Sequence, residues 1–242
     1  SKKSSSKTNF LAQGTILVIA SFVAKAIGMI YRIPLTHILG DDGNGYYSTA
    51  NEIYTIILMI SSFSLPLAVS RLVAEREYAG EVKNSYKVLI CSLRFAAVTG
   101  GILSILTFLL GGVITKYVMG VELASYALRV LAPAIFLFAL TGVLRGFFQG
   151  HGTMVPTAVS QIIEQIINAI VSVAGAYVML QYGLKLGEKK GDAELGTALA
   201  AAGGTFGTVA SVGVALLFMI VIYLGYRNGF KRRMKKDKTR RR

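Results

Sequence analysis

Residues 88–117 read VLICSLRFAAVTGGILSILTFLLGGVITKY, thirty residues that carry only two charges, Arg94 and Lys116. A helix needs about 20 mostly apolar residues to cross the roughly 30 Å hydrocarbon core of a bilayer. This run is longer than that and nearly free of charge. It therefore predicts a transmembrane helix.

Five more runs of the same kind flank it, so six spans are predicted, at 10–38, 46–73, 88–117, 124–148, 156–182 and 197–226. They define an all-α integral membrane protein, a six-transmembrane-helix bundle over residues 10–226. Residues 1–9 form an N-terminal segment, and residues 227–242 a basic tail or interlobe linker. The first span is too long for one straight helix, and we expect bends at Gly28 and Pro34. A loop is predicted at 40–45, where GDDGNG is rich in turn residues.

The composition supports the bilayer as the solvent of this chain. Of its residues 53% are hydrophobic and 16% charged, with a mean hydropathy of +0.57, whereas soluble domains carry about 25% charged residues. Too few charges are present to cover a soluble domain of this size.

The distribution of Lys and Arg predicts the orientation, because cytoplasmic loops carry an excess of both. If the N-terminus is inside, the inner segments hold 18 of these residues and the outer loops hold 4. Both termini are therefore predicted to be cytoplasmic, and the basic tail could also meet anionic lipid.

The net charge of +14 does not indicate a nucleic-acid partner, because ten of the 26 basic residues lie between Arg227 and Arg242. Cys91 is the single cysteine, and the two histidines, His37 and His151, are far apart in sequence. The sequence contains no hydrolase, metalloprotease or nucleotide-binding signature. We therefore predict a protein that is not an enzyme and has no metal or cofactor.

Three basic residues in or next to the first two spans are candidates for binding an anion. Lys25 lies well inside the first span, where a charge costs several kcal/mol and indicates a cavity or an acidic partner. Arg32 lies near the predicted outer interface, where snorkelling explains it equally well. Arg71 follows Pro66 at the inner end of the second span, as an anchor or a ligand. Arg145 is interpreted as an interfacial anchor or as a partner of Glu164.

A polar stripe marks the fifth span. Gln161, Glu164, Gln165 and Asn168 recur at i, i+3, i+4 and i+7, which places them on one helix face. Such a face must meet protein or water. Either it forms an interhelical hydrogen-bond seam or it lines a hydrated translocation cavity, and we expect both Glu164 and Lys25 to point into the bundle.

Three segments resemble one family closely: AKAIGMIYRIPLTHILG (24–40), GNGYYSTANEIYTIILMISSFSLPLAVSRLVAE (43–75) and LRGFFQGHGTMVPTAVSQIIEQI (144–166). The chain is similar to the polysaccharide-transport and stage V sporulation protein B group. That group is related to the MurJ-type lipid II flippases of the multidrug/oligosaccharidyl-lipid/polysaccharide exporter superfamily. The resemblance covers residues 8–228.

The resemblance implies two six-helix lobes around a central cavity in the bacterial plasma membrane. It implies alternating-access export of a lipid-linked, polyprenyl-diphosphate cell-wall or polysaccharide precursor, with cavity cations at Lys25, Arg32 and Arg71. The chain resembles the N-terminal lobe only, so a second six-helix lobe is an expected partner. A cation-coupled multidrug exporter lobe and a non-transporting membrane scaffold or inactive fragment are the alternatives.

Overall fold

A computed structural model describes residues 2–190 and 194–237, with side chains for 12–189 and 194–237. Every regular element in the described part of the chain is helical. The helices are α1 (Lys2–Ser61), α2 (Leu65–Tyr78), α3 (Val82–Val113), α4 (Ala124–Gly150), α5 (Val155–Lys190) and α6 (Leu195–Lys236), and a π-helical turn (Ile114–Val118) extends α3. The all-α membrane fold class is confirmed.

Helix α1 contains a sharp break at Gly40, where φ is 64° and ψ is −172°. Glycine adopts this conformation without steric cost because it has no Cβ. We call residues 2–39 the first arm of α1 and residues 41–61 its second arm. The chain reverses at the break, since Arg32 and Asn51 line one cavity, whereas a straight helix would separate them by about 28 Å.

The number of membrane-capable helical segments differs from the prediction. The described residues hold five helical segments long and apolar enough to cross a membrane, not six, and the first runs from Ala12 to Tyr78 over 67 residues. The predicted loop at 40–45 is wrong, because only Gly40 leaves the helical conformation there. The expected bends at Gly28 and Pro34 are also absent from the dihedrals of α1. A straight 67-residue helix would measure about 100 Å, three times the hydrocarbon thickness, so the segment is long enough for two crossings.

Two other boundaries differ from the sequence prediction. The stretch 183–190, predicted as part of an outer loop, continues α5, and the stretch 227–236 of the predicted tail continues α6. Both stretches are rich in Lys, Arg and Glu, which are good helix formers. Helices α5 and α6 therefore continue beyond their apolar turns into these two stretches. Residues 1, 191–193 and 238–242 of the predicted end and loop segments lie outside the described residues.

Glycines bring the helices into close contact at two seams. A Cβ on Gly146 would lie 2.5 Å from the carbonyl oxygen of Pro66, so α4 and α2 touch through their backbones there. On α6, Gly203 faces Gly175 of α5 in the same way. Small residues permit this approach in membrane bundles. The two glycine seams therefore serve packing between helices within the bundle.

The bundle has two ends, a basic end and a Gly40 end. The basic end holds the connections 79–81 and 151–154 and the last turns of α6, joined by a hydrogen bond from Lys83 Nζ to the Asp237 carbonyl oxygen (2.6 Å). The Gly40 end holds Gly40 and the connection 119–123, and there Tyr46 contacts Glu194. Large apolar side chains cover the surface between the ends, for example Ile60, exposed at 81%, and Leu67, exposed at 75%. So extensive an apolar surface belongs in lipid.

Candidate functional site

A cavity of about 630 Å³ lies between the two arms of α1, towards the Gly40 end. It is open to the surface and lined by Tyr31, Arg32, Tyr47, Ser48, Asn51, Glu52, Thr55 and Ile56. The reversal at Gly40 creates it, because that break places residues 31–32 opposite residues 47–56. The lining offers one guanidinium, one carboxylate, an amide and several hydroxyls, which together suit an anionic ligand that also carries hydroxyl groups.

The three predicted cations are all exposed on the bundle surface. Arg32 lines the cavity. Lys25 lies seven residues earlier on the same arm, about 10 Å further from the Gly40 end along the helix axis. Arg71 lies on α2 and does not line this cavity. Among the described side chains none of the three forms an ion pair. The expectation that Lys25 points into the bundle is therefore wrong, because it projects from the outside of the bundle.

The polar stripe of α5 faces the first arm of α1. Ser21 donates to Gln161 Oε1 (3.4 Å), and Asn168 Nδ2 donates to the Tyr31 hydroxyl (2.9 Å). Ser172, one turn further, donates to Asn168 Oδ1 (2.9 Å). These bonds satisfy buried polar groups that would otherwise cost free energy in the apolar interior. The stripe is thus an interhelical seam, the first of the two interpretations of the sequence.

Glu164 is held within this seam by a buried ion pair. Arg145 Nη2 on α4 lies 2.7 Å from Glu164 Oε2, with side-chain exposures of 9% and 15% respectively. Arg145 Nε also donates to Ser160 Oγ (2.9 Å), whose hydroxyl donates to the Thr157 carbonyl (2.8 Å). The expectation for Glu164 agrees with this inward position. The anchor interpretation of Arg145 is wrong, because its guanidinium is turned inward to the carboxylate.

One ionic cluster at the basic end could not be found by sequence reasoning. Glu77 at the end of α2 contacts both His151 Nε2, at 3.3 Å, and Arg233 of α6. His151 Nδ1 lies 2.8 Å from the Phe147 carbonyl oxygen, and its ring packs against Phe147 and Phe230. These residues come from three distant parts of the chain and share no spacing that could have revealed them. The cluster fixes the ends of α2, α4 and α6 together.

Fold and site define a multi-pass helical membrane protein with a polar cavity between two arms of one broken helix. The chain matches the polysaccharide biosynthesis protein family over residues 10–241 and belongs to it. It is 28% identical to stage V sporulation protein B of Bacillus subtilis (strain 168) over 217 residues, which are 90% of this chain and 39% of that protein. It is 29% identical to lipid II flippase MurJ of the same organism over 180 residues, 71% of this chain and 33% of that one. The chain thus spans between a third and two fifths of the length of these curated relatives.

A solved structure gives the same fold. An outward-facing multidrug resistance MATE family transporter of the MOP superfamily superposes with a TM-score of 0.73 at 18% identity. The match covers 92% of this chain and 46% of that one. The bundle therefore corresponds in fold to a little under half of that transporter.

Proposed function

We propose that this chain is one lobe of a flippase that moves a polyprenyl-diphosphate-linked saccharide across the bacterial plasma membrane by alternating access. Its family and its relatives support transport of a polysaccharide precursor. The observation that carries the proposal is the cavity between the arms of α1, which holds Arg32 without an ion-pair partner among the described side chains.

In this proposal the cations bind the diphosphate. A diphosphate that leaves water needs fixed positive charge, and charge-assisted hydrogen bonds replace its hydration best. Arg32 offers a planar fork that binds two phosphate oxygens at once, whereas Lys25 acts as a point charge. Two turns apart on nearly the same face of one helix, they could hand the diphosphate along its path. Arg71, exposed on α2, is proposed as a third contact.

The remaining polar groups of the cavity suit the saccharide. Ser48 and Tyr31 bring hydroxyls and Glu52 a carboxylate, and these are groups that pair with sugar hydroxyls. Glu52 would repel a second phosphate, so it favours an uncharged part of the ligand beside Arg32. Gln161, Glu164 and Asn168, first considered as cavity residues, are proposed to position α1 and α4 on α5 through the seam described above.

A second six-helix lobe is proposed to complete the cavity. The superposed transporter has more than twice the length that this chain covers, and Lys25 and Arg32 lie on the open surface of the bundle. A lobe packed there would remove both cations from lipid. We also propose that the basic end and both termini are cytoplasmic, because cytoplasmic segments carry an excess of Lys and Arg. In that orientation the cavity of Arg32 lies towards the outer side.

A complementation experiment tests the proposal. The variant Lys25→Gln/Arg32→Gln, joined to a second lobe from a relative, should fail to rescue a strain depleted of its flippase. Expression and insertion should stay near normal, since loss of intramembrane charge favours insertion. The matched control Lys185→Gln/Lys189→Gln removes two exposed lysines from the end of α5 and should rescue growth. Full rescue by the first variant would refute diphosphate binding and leave the scaffold or drug-export alternative.

A further inference from the structure

A second cavity, of about 450 Å³, lies at the basic end between α2 and the first turns of α3. Its polar lining is Arg76, Asn84, Lys87 and Ser92. A smaller hollow of about 230 Å³ shares Lys87 with it and adds Lys83. Neither cavity contains a residue of the proposed transport site, so they need an explanation of their own.

The charges around these cavities sum to an excess of positive charge. Arg76 pairs with Glu81 at 3.0 Å, and Lys83 donates to the carbonyl oxygen of Asp237, whose carboxylate accepts from the Lys83 backbone. With Lys87 the cluster therefore contains three cations and two carboxylates. Arg94 lies seven residues after Lys87 on the same side of α3 and is exposed. Helical side chains lean towards the N-terminus of their helix, so Arg94 adds a positive charge on the side of α3 that carries Lys87.

An apolar track leads from the cavity along α3 into the membrane. Cys91 lines the cavity, and Phe95, Val98 and Ile102 follow at i+4, i+7 and i+11, on the same helix face. The last three are exposed at 56%, 59% and 54%. Leu72 and Val88 add apolar walls to the cavity itself. Cations at the mouth and an apolar strip below them match the two parts of a phospholipid.

We propose that this surface binds an anionic glycerophospholipid, with its phosphate headgroup in the cavity at Lys87 and Arg76 and an acyl chain along the α3 track. Basic pockets between membrane helices on the cytoplasmic side bind anionic headgroups. Under the orientation proposed above the cavity faces the cytoplasmic leaflet. A soluble phosphate would use the cations but leave the track uncovered, and a zwitterionic lipid would gain little from the excess charge.

The chain contains no tryptophan, which permits a local fluorescence test. The variant Val98→Trp introduces one reporter in the track, and Leu217→Trp introduces a matched reporter on the exposed apolar surface of α6. The 242-residue chain is reconstituted in phosphatidylcholine vesicles that contain brominated phosphatidylglycerol or brominated phosphatidylcholine. Because bromine quenches tryptophan on contact, the two lipids give the relative affinity at each reporter.

At each reporter the measured quantity is the affinity for phosphatidylglycerol relative to phosphatidylcholine. We expect this ratio to be about fivefold or more higher at Val98→Trp than at Leu217→Trp, since each cation near the surface contributes about that factor. Adding Lys87→Gln should remove most of this preference, and Lys87→Arg should keep it. Lys231→Gln, which removes an exposed lysine of α6 at the same end, should have no effect. Equal preference at both reporters, or a preference that survives Lys87→Gln, would overturn the proposal.

Discussion

The ion pair between Arg145 and Glu164 gives the sharpest stability prediction. Their side chains are exposed by only 9% and 15%, and their charged atoms lie 2.7 Å apart. Removing one member of a buried pair costs about 3–5 kcal/mol, because the other charge stays buried without its partner. Gln keeps the shape of Glu164 and one acceptor for Arg145. The loss in free energy of unfolding caused by Glu164→Gln should therefore lie near the lower limit, at about 3 kcal/mol.

That free energy can be measured as a change in melting temperature. For a chain of this length about 1 kcal/mol corresponds to roughly 2–4 °C, so Glu164→Gln should lower Tm in detergent by about 6–12 °C. Replacing both members, as in Arg145→Met/Glu164→Leu, should cost less than either single change, since an apolar pair leaves no uncompensated charge.

The exposed pair Lys116–Glu122 provides the control. Its charged atoms are 3.0 Å apart, but its side chains are exposed by 48% and 65%, and exposed pairs contribute less than about 1 kcal/mol. Glu122→Gln should therefore change Tm by no more than about 4 °C. An equal effect of Glu122→Gln and Glu164→Gln would refute the view that burial gives the Arg145 pair its importance.

Two further predictions concern packing and topology. Gly203→Ala should destabilise the bundle by about 1–3 kcal/mol, because the added Cβ would overlap the carbonyl oxygen of Gly175. The control Gly213→Ala on the same helix should cost less, since its Cβ would meet only Leu137, at 3.8 Å. Equal melting temperatures of the two variants would contradict the close α5–α6 contact. Asp42 and Ala79 are both exposed, at opposite ends of the bundle. In a Cys91→Ser background, Asp42→Cys should react with an impermeant thiol reagent applied outside cells, and Ala79→Cys should not. The reverse pattern would contradict the proposed orientation.

The sequence predicted what hydropathy and helical period control. Long apolar runs predicted the membrane helices, and the spacing of Gln161, Glu164 and Asn168 predicted a polar face turned inward. Both follow from local pattern, because an uncharged run has no good alternative to lipid. Proline and glycine content was a poorer guide. Pro34 left α1 helical while Gly40 broke it, and the turn-rich stretch after Gly40 stayed helical.

The rest depended on which helices become neighbours. Arg145 lies close enough to a helix end to act as an anchor, and only the packing of α4 on α5 turns it to Glu164. Lys25 lies deep within its span, yet it is exposed because none of the residues that the structure describes covers that side of α1. His151, Glu77 and Arg233 are separated by more than 70 residues in each case, so their contact follows from the tertiary arrangement alone.

Lipid translocation in proteoliposomes tests the central claim most directly. The chain, joined to a second lobe, is reconstituted with a polyprenyl-diphosphate saccharide that carries a fluorophore on the sugar, and a membrane-impermeant quencher reports its crossing. We predict that the protein accelerates crossing over protein-free vesicles and that Lys25→Gln/Arg32→Gln slows this step at least about tenfold, equivalent to a loss of about 1.4 kcal/mol of binding to the moving diphosphate. Crossing at the protein-free rate, or at an unchanged rate in the double variant, would contradict the account.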